Sequence, residues 1–299
     1  MRYTGFEIEC ITTKEWSRID EEVDTYDREY DDEYEPKVLG KAKKYVLNIH
    51  DDGSVEGDGF PAEVVTQPML ENRRRALKSL CTTIKKRGGY VNKSCGGHIH
   101  VDAKDLVKPL EKEDNVVTAV KFLTLCEPAL FAVTGKSRLK NSFCNPIHVV
   151  ESYGTPVPGA KVWETDNLFG DRYWSVNMCS LEEHGTLEFR LFSGTLEHEK
   201  WAARAAFAEA VVNKLSEVLK NPKSLEKLHK NSALAGLDLE EVIDGEYDKS
   251  KLYHTVIKNN GPKLVEEVCR MVGLHSRHRK ALVKQHLDIW GKYAKKDAA

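Results

Sequence analysis

What this 299-residue sequence lacks narrows its reading first. Its seven cysteines (Cys10, Cys81, Cys95, Cys126, Cys144, Cys179, Cys269) form no C-x-x-C, which argues against a zinc ribbon or a disulfide framework. Reduced thiols and a cytoplasmic location are the expectation. No apolar run approaches the ~20 residues that span a bilayer, and MRYTGFEIEC reaches Glu7 without a signal-peptide core, so no membrane partner is expected. Net charge is nearly absent: 45 basic against 47 acidic residues leave −2, which excludes a globally basic nucleic-acid coat. The 40% hydrophobic share excludes a disordered chain. Repeats, low-complexity tracts, G-x-G-x-x-G and G-x-S-x-G are all missing. Gly135-Lys136-Ser137 resembles the end of a P-loop, but Leu130 stands where the earlier glycine is required, and a helix rather than a strand precedes it.

The small net charge hides two poles. Residues 20–35 hold ten acids against Arg28 alone, and residues 249–299 hold twelve Lys or Arg against four acids. The acidic pole has no apolar period and reads as a solvated loop near the mouth of a site. The basic pole, around Arg277, Arg279, Lys280 and Lys284, reads as a solvated helix face or as a contact for an anionic partner.

Periodicity predicts strands over 3–12, 45–50, 62–66, 96–102, 174–178 and 186–192. Helices are predicted over 71–86, 115–133, 197–220, 223–231, 249–258, 262–272 and 276–295, and residues 137–168 read as irregular. The class is α+β with a helical C-terminal third.

Charged residues inside apolar strands are the informative anomaly, because an unpaired buried charge is costly. Glu7 and Glu9 share one strand face, and two neighbouring carboxylates repel unless a cation lies between them. Glu63 enters another apolar strand. In Gly96-Gly97-His98-Ile99-His100-Val101-Asp102 the two histidines share a face. Glu188 and Arg190 share a face in Gly185-Thr186-Leu187-Glu188-Phe189-Arg190, opposite Leu187, Phe189 and Leu191. Carboxylates and imidazole without cysteine favour Mg²⁺ or Mn²⁺. Arginines beside such an ion suit phosphate and point to phosphoryl transfer.

Six segments together, GFEIE (5–9), DDGS (51–54), AEVVTQP (62–68), CGGHIHVD (95–102), RYWSVN (172–177) and GTLEFRLFSGT (185–195), resemble the amidoligase branch of carboxylate–amine ligases. The resemblance covers residues 1–200. It implies the catalytic fold of glutamine synthetase and glutamate–cysteine ligase: a curved antiparallel sheet forming an open trough flanked by helices. A catalytic domain over 1–200 and a helical region over 201–299 packed on it follow. It further implies an ATP-dependent ligase that joins a carboxylate and an amine through an acyl phosphate. By motif, Glu7, Glu9, Glu63, His98 and Glu188 would ligate metal. Arg190, Arg172, His100 and Asn177 would meet the nucleotide phosphates, with Arg190, Arg172 and Glu188 catalytic. Asp52 and Ser54 would line the substrate pocket. The partners implied are a small or peptide carboxylate and an amine, with the basic helices free to dock a large anionic substrate. Proteins of this fold commonly work as homo-oligomers. Two other readings compete: a metal-dependent hydrolase built on His98-x-His100, and a protein that binds nucleic acid or another anionic polymer through its basic C-terminal helices.

Overall fold

The computed structural model describes residues 2–14, 16, 37–70, 73–147, 172–244 and 246–294. The acidic stretch 20–35 and residues 148–168 of the predicted irregular stretch lie outside the described residues. Along the chain come β1 (Thr4–Thr12), a 3-10 segment (Lys37–Tyr45), β2 (Val46–His50), β3 (Phe60–Thr66), α1 (Arg73–Lys86) and β4 (Gly96–Asp102). Then follow α2 (Lys104–Val107), α3 (Glu113–Ala132), a 3-10 turn (Lys136–Lys140), β5 (Val176–Asn177), α4 (Ser180–His184) and β6 (Thr186–Ser193). Helices α5 (His198–Lys220), α6 (Ser224–Lys230), α7 (Leu239–Ile243), α8 (Lys249–Met271) and α9 (Ser276–Ala294) complete it. The class is α+β, as expected. The six strands form an antiparallel, open sheet in the order β2-β3-β1-β4-β6-β5.

The chain divides into two compact units, one of Tyr3–Ile99 with Ser193–Ala202, the other of Arg2, His100–Phe192 and Ala203–Ala299. In the first unit, β1 alternates between buried and half-buried residues over Thr4–Ile8 and is buried on both faces from Ile8 to Thr12. Phe6, Ile8 and Cys10 are buried on the core side, and β3 adds Ala62 and Val64. Leu77, Leu80 and Ile84 of α1 are buried at helical spacing. Gly97 has no alternative here: a Cβ at this position would stand 2.2 Å from the Trp201 ring, which packs edge-on to Phe6 at 5.9 Å. At Gly97 the strand thus admits an indole.

In the second unit, Leu187, Phe189 and Leu191 of β6 are fully buried. Helix α3 corrects the expectation that no segment is apolar and long enough to span a bilayer. Asp114–Ala132 passes by length and composition, and 78% of that window is buried inside the protein, as suits a core helix. Its C-terminal carbonyls are satisfied by side chains from elsewhere. Ala132 O pairs with His286 Nδ1 at 2.9 Å, Val133 O accepts from Arg204 at 3.2 Å, and Thr134 O accepts from Trp290 Nε1 at 3.1 Å. The predicted helices 249–258 and 262–272 are one helix, α8, kinked at Asn260 (φ −139°) ahead of Pro262, whose missing N–H breaks the ladder there. The predicted strand 174–178 shrinks to Val176–Asn177. Among the described residues no disulfide joins any of the seven cysteines, and six of the seven are buried.

Candidate functional site

The first unit gathers carboxylates. Antiparallel pairing sets Glu9 of β1 directly opposite Glu63 of β3, with Glu7 two residues along on the same face. His98 Nδ1 lies 2.5 Å from Glu7 Oε2 and 3.7 Å from Glu63 Oε1, and its Nε2 lies 3.4 Å from Glu9 Oε1. The Gly96 N–H donates to the other oxygen of Glu9. Strand β2 pairs with β3, and the turn that follows it brings Asp52 to the group. Two donor triads result, Glu7–Glu63–His98 and Glu9–Asp52–Glu63, each with its ligand atoms within 4.8 Å of one another. They share Glu63.

This crowding has an electrostatic signature. Burial first, then the charges of Glu7, Glu9 and Asp52 and a hydrogen bond to Glu7, push the Glu63 carboxyl up to about 9. In the chain alone Glu63 therefore keeps its proton at neutral pH. A divalent cation would relieve the same repulsion. Thiol-free, oxygen-rich donor triads with one imidazole fit a hard ion such as Mg²⁺ or Mn²⁺.

The second unit gathers arginines and hydrogen-bonding groups. Asn177 of β5 pairs in register with Glu188 of β6, and its Nδ2 donates to Glu188 Oε2 at 2.8 Å. Arg190 Nη1 donates to Glu188 Oε1. The Arg190 guanidinium sits 5.8 Å from the Tyr173 ring centre, and Arg172 sits 5.1 Å from the same ring. Arg172 also donates to Tyr173 Oη at 3.2 Å. Behind Arg190, Arg138 donates to the Arg190 carbonyl at 2.8 Å, which fixes the strand at this point. His100 Nδ1 pairs with Thr186 Oγ1 at 3.1 Å, while its Nε2 stands 3.9 Å from Glu188 Oε1. Strand β6 can present these groups because Gly185, at φ +65°, ends α4 and turns the chain into it.

The structure thus brings Glu7, Glu9, Glu63 and His98 together in the first unit, and Arg172, Arg190, Glu188, Asn177 and His100 in the second. Asp52, read from sequence as a substrate residue, joins the carboxylates. Ser54 is exposed and serves the turn: its N–H and hydroxyl both donate to Asp52 Oδ1, at 2.8 and 2.7 Å. Sequence reasoning missed Tyr173, the ring shared by both arginines. Its only signal was its place directly after Arg172 in RYWSVN.

Comparison with known proteins agrees with the family resemblance over the stretch that holds the first four segments, residues 5–102. The family described as "Putative amidoligase enzyme" matches residues 1–151, half of the chain. That match contains the carboxylate strands β1 and β3 and the histidine strand β4. No curated protein matches the sequence. The chain belongs to the amidoligase family, whose members are named for forming amide bonds.

Proposed function

We propose that this amidoligase is ATP-dependent and forms its amide through an acyl phosphate, on a sheet of the glutamine synthetase type. The observation that carries the reading is the pairing of chemistries: clustered carboxylates around His98, and arginines held by carboxylate and aromatic ring at Arg190 and Arg172. A carboxylate acylates an amine poorly, because oxide is a poor leaving group. Phosphorylation by ATP supplies a good one. Glu7, Glu9, Glu63, His98 and Asp52 would hold divalent cations, with Glu188 available as a further ligand. A cation bound there would offset the repulsion between the two anions that must meet.

The protein's own groups do the rest. Glu188 accepts from both Arg190 and Asn177, so it orients the guanidinium. The Tyr173 ring faces both arginines, and their planar forks match phosphoryl oxygens in the reaction. His100, held by Thr186, would contact phosphate oxygens through Nε2. Asp52 would serve the cation rather than the substrate alone.

The test is a mass-spectrometric screen of carboxylates and amines with ATP and Mg²⁺, seeking condensation with loss of water. The pair that condenses is then assayed with variants. Arg190→Ala should lower the rate by roughly 10³–10⁵, the range for an arginine that stabilises a moving phosphoryl group. Glu188→Gln should lose most of the same factor. Turnover near that of the unsubstituted protein in either variant contradicts these assignments. Hydrolysis of the same compounds without ATP would favour the hydrolase reading instead.

A further inference from the structure

Strand β6 carries Arg190 past the end of its neighbour. β5 is two residues long, with Val176 opposite Phe189 and Asn177 opposite Glu188, so the next pair in register is Ser175 with Arg190. Two residues at such a position in an antiparallel ladder exchange both of their N–H···O bonds. Here only one of the two bonds forms. The Arg190 N–H donates to the Ser175 carbonyl at 2.9 Å, but the Ser175 N–H donates to the Asn145 carbonyl at 2.6 Å. The Arg190 carbonyl therefore does not receive its strand bond.

Arg138 fills that gap. Its Nη2 donates to the Arg190 carbonyl at 2.8 Å, and its Nε donates to the Leu191 carbonyl at 3.4 Å. The side chain comes from the 3-10 turn Lys136–Lys140 and is buried. A buried guanidinium is a costly way to satisfy two carbonyls. What it supplies is a rigid fork that fixes one carbonyl relative to the next.

The segment that bears Arg138 also reaches the Arg190 side chain. The Arg138 N–H closes the turn onto the Gly135 carbonyl at 2.9 Å, and Cys144 Sγ donates back to the Arg138 carbonyl at 3.3 Å. Just before Cys144, the Phe143 carbonyl accepts from Arg190 Nε at 3.4 Å, and the Phe143 ring meets the Tyr173 ring edge-on at 5.5 Å. The Asn145 N–H donates to the Tyr173 carbonyl at 2.8 Å. Residues 138–145 thus hold the backbone of Arg190, its guanidinium, and the ring that the guanidinium faces. Glu188, two residues back on β6, supplies the remaining hold at Nη1.

We infer that Arg138 is a positioning residue, which sets the place of the Arg190 guanidinium without itself touching the reacting groups. The inference rests on the role proposed above for Arg190 at the moving phosphoryl group. A displacement of about 1 Å at such a group can cost roughly 10²-fold. The probe is MgADP with and without aluminium fluoride, which mimics the phosphoryl group in flight. Titration calorimetry reads the gain in affinity that the fluoride brings. Arg190→Ala should abolish that gain. Arg138→Lys keeps the charge but not the fork, and should cut the gain at least about tenfold while affinity for MgADP alone changes less than about twofold. Combined with Arg190→Ala it should weaken binding no further than Arg190→Ala does, because the two residues act as one unit. Circular dichroism checks folding, and if Arg138→Lys does not fold, Arg138→Gln is held to the same result. A fluoride gain kept in the folded Arg138 variant but lost in Arg190→Ala overturns the inference and leaves the ATP reading standing. Equal losses with and without fluoride, or failure of both Arg138 variants to fold, assign Arg138 a structural role only and overturn it too. No fluoride gain in the unsubstituted protein contradicts the ATP reading itself, and the inference falls with it.

Discussion

Glu63 is the residue on which the electrostatics of the carboxylate cluster turn. It belongs to both donor triads, and its carboxyl is raised to about 9 against an ordinary 4.5. A raised folded-state value means the folded chain holds a proton that the unfolded chain has released between those limits. Stability from this group is therefore full below about pH 4.5 and is lost as pH rises through 9. A cation that replaces the proton should stabilise more at high pH than at low. We expect the rise in Tm on adding Mg²⁺ or Mn²⁺ to be larger near pH 8 than near pH 5. Glu63→Gln should flatten this dependence. An increment independent of pH, or an unchanged dependence in Glu63→Gln, would contradict this account of the cluster.

At the scale of elements, the second unit is tied together by a polar group at the back of β5. Glu127 of α3 is fully buried and accepts from Ile147 N at 2.8 Å, from Tyr253 Oη at 2.7 Å and from Ser175 Oγ. Lys249, at the start of α8, reaches Thr124 Oγ1 at 3.2 Å and the Ile147 carbonyl. Burial raises Glu127 and lowers Lys249 to about 8, while each charge supports the other. Ser175 in turn accepts the Arg190 N–H at 2.9 Å on its carbonyl, so this network seats β6. Glu127→Ala leaves three donors and a buried lysine uncompensated. We expect a loss of roughly 3–5 kcal/mol in denaturant unfolding. A loss under about 1 kcal/mol, the range of an exposed pair, would show the network to be unimportant.

What was legible in the sequence follows the same scale. Strand alternation has period two, so the shared faces of Glu7 and Glu9, of His98 and His100, and of Glu188 and Arg190 could be read before any fold was known. Strand 96–102 matches in full, and five predicted helices survive with shifts of at most two residues. What was not legible depended on contacts distant in sequence. Asp52 joins Glu9 and Glu63 only because β2 pairs with β3. Tyr173 meets Arg190 through the pairing of β5 with β6. Glu127 and Lys249 look like ordinary surface charges in sequence, since nothing local marks their burial. Short elements such as α2, α4 and α7 hold too few residues to show a period.

For the whole molecule, the near-zero net charge separates into local fields. Carboxylates crowd around His98. Arginines gather at Tyr173. The family places the chain among amide-forming ligases, and these fields support the ATP-dependent chemistry proposed for it. The most direct test follows heavy oxygen from a labelled carboxylate substrate, once the condensing pair is known. An acyl-phosphate route predicts one labelled oxygen in the phosphate released with each amide, and ADP formed only when the amine is present or the acyl phosphate hydrolyses. Amide formation with unlabelled phosphate, or without any ADP, would contradict it.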